Sequence, residues 1–99
     1  MDIVITKNVI TRDEAFKLAP HYVEYIEGDR DILFETVIPA FDELKRGKPV
    51  ITFINGVYVR AKVSKVERGS YRAVDGPVIR VSNDEYSWRV DGDKYAFPI

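Results

Sequence analysis

The stretch Ile51-Thr-Phe-Ile-Asn55-Gly56-Val-Tyr-Val-Arg60, within Pro49 to Val66, decides the fold. Two β-branched and aromatic runs flank an Asn-Gly pair, the strongest short-range signal for a two-residue β-hairpin. A two-residue turn sets Ile54 against Val57, Phe53 against Tyr58, Thr52 against Val59 and Ile51 against Arg60. Because side chains alternate, this register assigns the faces. Val50, Thr52, Ile54, Val57, Val59, Ala61 and Val63 form a core face. Ile51, Phe53, Tyr58, Arg60, Lys62 and Ser64 form a mixed aromatic and basic surface.

Beyond the hairpin, turn signals recur at Glu67-Arg-Gly69, Asp75-Gly76, Asn83-Asp84 and Asp91-Gly92. Short strands with regular turns predict an antiparallel meander. A two-residue turn at Asn83-Asp84 places Ile79 against Trp88 and Val81 against Tyr86, with Ile79, Val81, Tyr86, Trp88 and Val90 inward. A four-residue loop, Asp91 to Lys94, then returns a last strand that faces Phe97 toward Trp88. It also avoids setting Arg89 opposite Lys94, a like-charge cross-strand pair.

The N-terminal half reads differently. Residues 2–6 alternate weakly and predict a short edge strand. Thr11-Arg-Asp-Glu14 is a capping box, with Ile10 and Ala15 at its staple positions. The helix it starts stops by Ala19, since Pro20 drives its predecessor out of the α region. Ala15, Phe16 and Ala19 are its docking residues. His21 to Ile26 reads equally as strand or helical turn. Leu33, Val37, Phe41 and Leu44 recur at helical spacing, with Pro39 forcing a kink or restart. The well-formed part of that helix is predicted at residues 37–46, stopped by Gly47.

The chain has 99 residues, 45% hydrophobic and 12% aromatic, which suits one globular domain over residues 1–99. It has no cysteine, which removes disulfides, thiolate metal sites and cysteine nucleophiles. No apolar run reaches transmembrane length and no signal peptide is read at the N-terminus, so a cytoplasmic location is expected. The net charge of −1 conceals an asymmetry. Residues 1–48 hold ten acids and seven bases, and residues 49–99 six acids and eight bases. Glu24, Glu27, Asp29, Asp31 and Glu35 surround one base, Arg30; Arg60, Lys62, Lys65, Arg68, Arg72 and Arg80 answer to Glu67 and Asp75.

Candidate chemistry is sparse. His21, the single histidine, stands beside no nucleophile motif and reads as a structural or surface residue. Glu27, Asp29 and Asp31 lack the glycine and terminal glutamate of a calcium loop, and helix capping accounts for an acid here. There is no phosphate loop, dinucleotide glycine pattern or nucleophile elbow. No catalytic residue, metal site or cofactor is assigned, and the protein is expected not to be an enzyme. The binding residues expected are Tyr58, Arg60, Lys62, Tyr71 and Arg72. They combine an aromatic ring with cations, as in single-strand nucleic-acid binders and in protein-binding hot spots. The competing structural reading puts Phe53 and Tyr58 beneath the helices, with Arg60 and Lys62 at the rim.

The expected fold is α+β, with two N-terminal helices (helical part about 8–47) packed on a bent antiparallel β-meander. The meander (about 49–99) has four to six strands, with a small, partly open barrel as a variant. The expected function is a small non-enzymatic protein-binding module: an inhibitor, adaptor or regulatory subunit. The alternatives are a nucleic-acid-binding protein using the aromatic and basic face, and a small-ligand, nucleotide-like binder with a pocket between helices and sheet.

Overall fold

The computed structural model describes residues 4–32, 35–36, 40, 43–67, 78–90 and 96–99. Its elements are β1 (Val9–Ile10), α1 (Arg12–Leu18), α2 (Pro20–Ile26), β2 (Pro49–Ile54), β3 (Val57–Glu67), β4 (Val78–Ser82), β5 (Ser87–Val90) and β6 (Phe97–Pro98). This is an α+β fold: two N-terminal helices over a six-stranded antiparallel sheet of order β5-β4-β3-β2-β6. β1 joins it on β3, with Val9 opposite Val59 and Ile10 opposite Tyr58. Among the described residues the sheet is not closed into a barrel.

The β2–β3 hairpin has the register its turn dictates, from Ile54 opposite Val57 through Ile51 opposite Arg60. Asn55 and Gly56 both adopt positive φ, 51° and 81°, as a turn matching strand twist demands. Val50, Thr52, Val59, Ala61 and Val63 are buried, while Ile54 and Val57, beside the turn, are half-buried.

The opposite face is not one surface. Ile51 is fully buried and Tyr58 is 6% exposed, whereas Arg60 and Lys62 are open to solvent. The apolar half of this face is taken up by the helices. Ile10 of β1, Arg12 at the start of α1, and Ile26 and Glu27 at the end of α2 gather around Phe53, Val57 and Tyr58.

Thr11 caps α1 by accepting the Glu14 amide at 3.1 Å. The reciprocal bond differs from the usual box, since the Thr11 hydroxyl donates to the Glu14 carboxylate at 3.3 Å. Ala15 and Ala19 are buried, but Phe16 is 37% exposed, with the Arg12 guanidinium 5.2 Å from its ring centre. Ala19 is extended at φ −149°, and Pro20 opens α2 at a position where its missing amide costs nothing. That resolves His21–Ile26 as helix. Tyr22, at 0% exposure, stacks on Phe97 at 5.9 Å. Its hydroxyl accepts the Phe53 amide at 3.1 Å, which terminates the edge of β2 beyond the reach of β6.

Several expectations need correction. Residues 4–6 form no strand; the edge strand is Val9–Ile10, fixed by Arg60 donating its amide to the Asn8 carbonyl at 2.9 Å. The expected helix at 37–46 does not extend over residues 44–46, and Leu33, Val37, Pro39 and Phe41 lie outside the described residues. Gly47 does take positive φ, 88°, but it ends a turn rather than a helix.

The β4–β5 loop is four residues, Asn83–Tyr86, not two. Val81 lies opposite Trp88 and Ile79 opposite Val90. A slip of two residues preserves faces, so Ile79, Val81 and Val90 stay buried, Trp88 is half-buried and Tyr86 moves out to 38% exposure. The last strand pairs with β2 instead of β5, setting Ile51 against Phe97 and Val50 against Pro98. A proline, having no amide to donate, belongs on such an edge. The turn signals at Glu67-Arg-Gly69, Asp75-Gly76 and Asp91-Gly92 fall wholly or partly outside the described residues.

Candidate binding face

The exposed half of the sheet face is built by register. Arg60 and Lys62 lie on one side of β3, and Lys62 stands opposite Ser82 of β4. Regular alternation would send Lys65 to the core side with Val63. Instead the ladder shifts between Val63 and Lys65, leaving Ser64 as the extra residue of a β-bulge. The bulge returns Lys65 to the face of Lys62 and turns Val66 toward the side of Ile79. Lys65 then lies opposite Arg80, and Arg80 opposite Arg89. Arg60, Lys62, Lys65, Arg80 and Arg89 share one face of β3, β4 and β5, and all are exposed.

Electrostatically this arrangement is unfavourable in isolation. Like charges directly opposite across a strand pair are destabilising, and here two such pairs adjoin. No acid of the described residues forms an ion pair with Arg60, Lys62 or Arg80. Beside Arg60 and Lys62 the surface dips into a recess of about 200 Å³, lined also by Asn8, Pro49, Ser82 and Asp84.

Of the binding residues expected from sequence, Arg60 and Lys62 are on this face and Tyr71 and Arg72 lie outside the described residues. Tyr58 lies on the same face of β3 as Arg60 but is 6% exposed, so its ring offers no open stacking surface beside the cations. Burial, and then the charge of Glu27, raise its hydroxyl above the usual tyrosine range, with Arg12 opposing. Sequence reasoning left Lys65, Arg80 and Arg89 out of the candidate face; alternation sends Lys65 inward, and the bulge reverses that. Alternation along Ile79 to Val90 already placed Arg80 and Arg89 outward; what it lacked was the pairing that brings them to Lys65.

The acids do not assemble into a site. Glu27 is held by Arg12, with Nη2 to Oε1 at 2.6 Å and Nε to Oε1 at 3.1 Å. This bond keeps the Glu27 carboxyl below the usual carboxylate range; desolvation opposes it, and the Arg12 charge adds to it more weakly. The Asp29 carboxylate accepts the Asp31 amide at 3.2 Å. His21 is a surface residue with Nδ1 3.9 Å from Glu24. Among the described residues no cluster of three such side chains could hold a metal ion. No helix among them is long and apolar enough to cross a membrane.

Comparison with protein-family models, with curated proteins and with solved structures finds no match to this chain.

Proposed function

We propose that this protein is a small, non-enzymatic protein-binding module that captures an acidic partner on its basic sheet face. The carrying observation is the shared exposed face of Arg60, Lys62, Lys65, Arg80 and Arg89, which sets cations directly opposite one another across β3, β4 and β5. A rule of sheet design broken on the surface points to a binding role. A protein partner is favoured over nucleic acid because the aromatic side chains of that face, Phe53 and Tyr58, lie in its covered half rather than open beside the cations. Base stacking supplies much of single-strand affinity, and strong binders carry net positive charge, whereas this chain is at −1. The cysteine-free composition supports a cytoplasmic setting.

The test is titration with an oligoglutamate peptide and with single-stranded oligothymidylate, each at two salt concentrations. The paired variant Arg80→Ser, Arg89→Ser serves as control. The peptide is expected to bind, weaken with salt and lose most of its affinity to the paired variant. The oligonucleotide is expected to bind no tighter than the non-specific range of about 10⁻⁴–10⁻⁶ M at physiological salt. Submicromolar, salt-sensitive oligonucleotide binding would replace this reading with the nucleic-acid one.

A further inference from the structure

A second recess, independent of the basic face, lies where α1 begins, α2 ends and the β2–β3 hairpin turns. Ile10, Ile26, Phe53 and Val57 give it apolar walls, Tyr58 is among its lining residues, and Arg12 and Glu27 stand at its rim. Its volume is about 570 Å³, within the roughly 300–1,000 Å³ of small-molecule sites.

Three features specify what fits. The rings of Phe53 and Tyr58 sit 4.8 Å apart at 60°, offering an aromatic corner. Arg12 and Glu27 satisfy each other through a two-pronged bond, so the rim presents no net charge to a ligand. The Tyr58 ring is buried, while its hydroxyl, which has no hydrogen-bond partner among the described residues, still meets solvent. The Tyr58 hydroxyl, beside the Arg12–Glu27 pair, is left to bond whatever enters.

We infer that this recess binds a small neutral aromatic molecule carrying one hydrogen-bonding group, its ring against Phe53 and Tyr58 and its polar group on the Tyr58 hydroxyl. A phosphorylated or carboxylated ligand is disfavoured, because the one cation at the rim is already engaged by Glu27.

The experiment is an NMR amide-shift titration of the full chain with phenol, toluene and benzoate in parallel. Phenol is expected to saturate, at the roughly millimolar level of an unoptimised fragment, with shifts concentrated at Phe53, Gly56, Val57 and Tyr58. Tyr58→Phe should weaken phenol about three- to tenfold, the range of one hydrogen bond, and leave toluene unchanged. No protein group depends on that hydroxyl, so the variant should melt with the parent. A non-saturating or scattered response to phenol, tighter binding of benzoate than phenol, or an unaltered phenol affinity in Tyr58→Phe would each overturn the assignment. Loss of oligoglutamate binding in the paired arginine variant leaves it untouched.

Discussion

Asn83 is 1% exposed and joins three parts of the chain, so its replacement tests the architecture at one point. Its side-chain amide donates to the Lys7 carbonyl at 2.9 Å, anchoring the segment that leads into β1. Its side-chain oxygen accepts the amides of Glu85 at 3.1 Å and Tyr86 at 2.7 Å, which shapes the β4–β5 loop. Asn8 answers by donating its own amide to the Asn83 carbonyl at 2.8 Å. Asn83→Ala removes three of these four bonds. At about 1 kcal/mol net for each, plus about 1 kcal/mol for the packing lost around a buried side chain, the cost is about 3–4 kcal/mol. For a domain of this size that lowers Tm by about 15–30 °C.

The two functions of Asn83 separate in Asn83→Asp. The carboxylate still accepts the Glu85 and Tyr86 amides but cannot donate to Lys7. Urea denaturation of both variants, with amide hydrogen exchange, reads the difference. Both should lose protection at the Arg60 amide, which is donated to the Asn8 carbonyl. The Tyr86 amide should lose protection in the alanine variant alone. An alanine variant destabilised by less than about 1 kcal/mol, or an Arg60 amide protected equally in all three proteins, would refute the tether.

Tyr22→Phe should cost about 1–3 kcal/mol by urea denaturation, because it strands the Phe53 amide at a buried strand edge. Burial pushes the Tyr22 hydroxyl far above the usual tyrosine range, against the opposing hydrogen bonds of Phe53 and Thr52. A folded pKa raised above the unfolded one gives stability that is present below the ordinary tyrosine range and lost as pH rises. A phenolate absorbance titration should therefore show Tyr22 ionising only together with unfolding. For Glu27 the sign is opposite: its lowered folded pKa gives stability that is present at neutral pH and fades as pH falls below the ordinary carboxylate range. Glu27→Gln should flatten that part of the acid side of a Tm-against-pH curve. Deleting Ser64 should leave the protein folded, since it removes the bulge while keeping Lys65 opposite Arg80 and Val63 opposite Val81. Deleting Thr52, which inverts every face of β2 on one side of the cut, should abolish cooperative melting.

What was legible in the sequence was local. The Asn55-Gly56 turn determines its own hairpin because the two strands meet at the turn and alternation does the rest. Thr11 and Pro20 mark helix boundaries for equally local reasons. The Asn83-Asp84 pair misleads because Asn83 works through a contact 76 residues away in sequence, with Lys7, rather than as a central turn residue. Period-2 alternation keeps the faces of β4 and β5 correct through that error. It has no means of showing that Phe97 and Pro98 pair with β2, or that Arg12 reaches Glu27 across 15 residues. The candidate face was partly legible for the same reason: Arg60 and Lys62 follow from the hairpin, whereas Lys65 needs the bulge and Arg80 and Arg89 need long-range pairing.

The split of one sheet face into a covered apolar half and an open basic half follows from dimensions. α1 and α2 have 7 residues each and so are about 10 Å long at 1.5 Å per residue. The strand path β5-β4-β3-β2-β6, at about 4.8 Å per strand, is nearly twice as wide. Helices this short, tied to the sheet through β1 and the Tyr22 hydroxyl on the Phe53 amide, reach Phe53 and Tyr58 but leave the far part of β3 and β4–β5 to solvent. Exposure alone asks only for polar residues, and mixed charge would satisfy it at less cost. The bulge at Ser64 adds a cation to this region, because it turns Lys65 outward beside Arg80 rather than correcting a clash of like charge. Among the described residues no acid forms an ion pair with Arg60, Lys62 or Arg80, so the irregularity widens an open basic surface, the feature on which the proposed capture of an acidic partner rests.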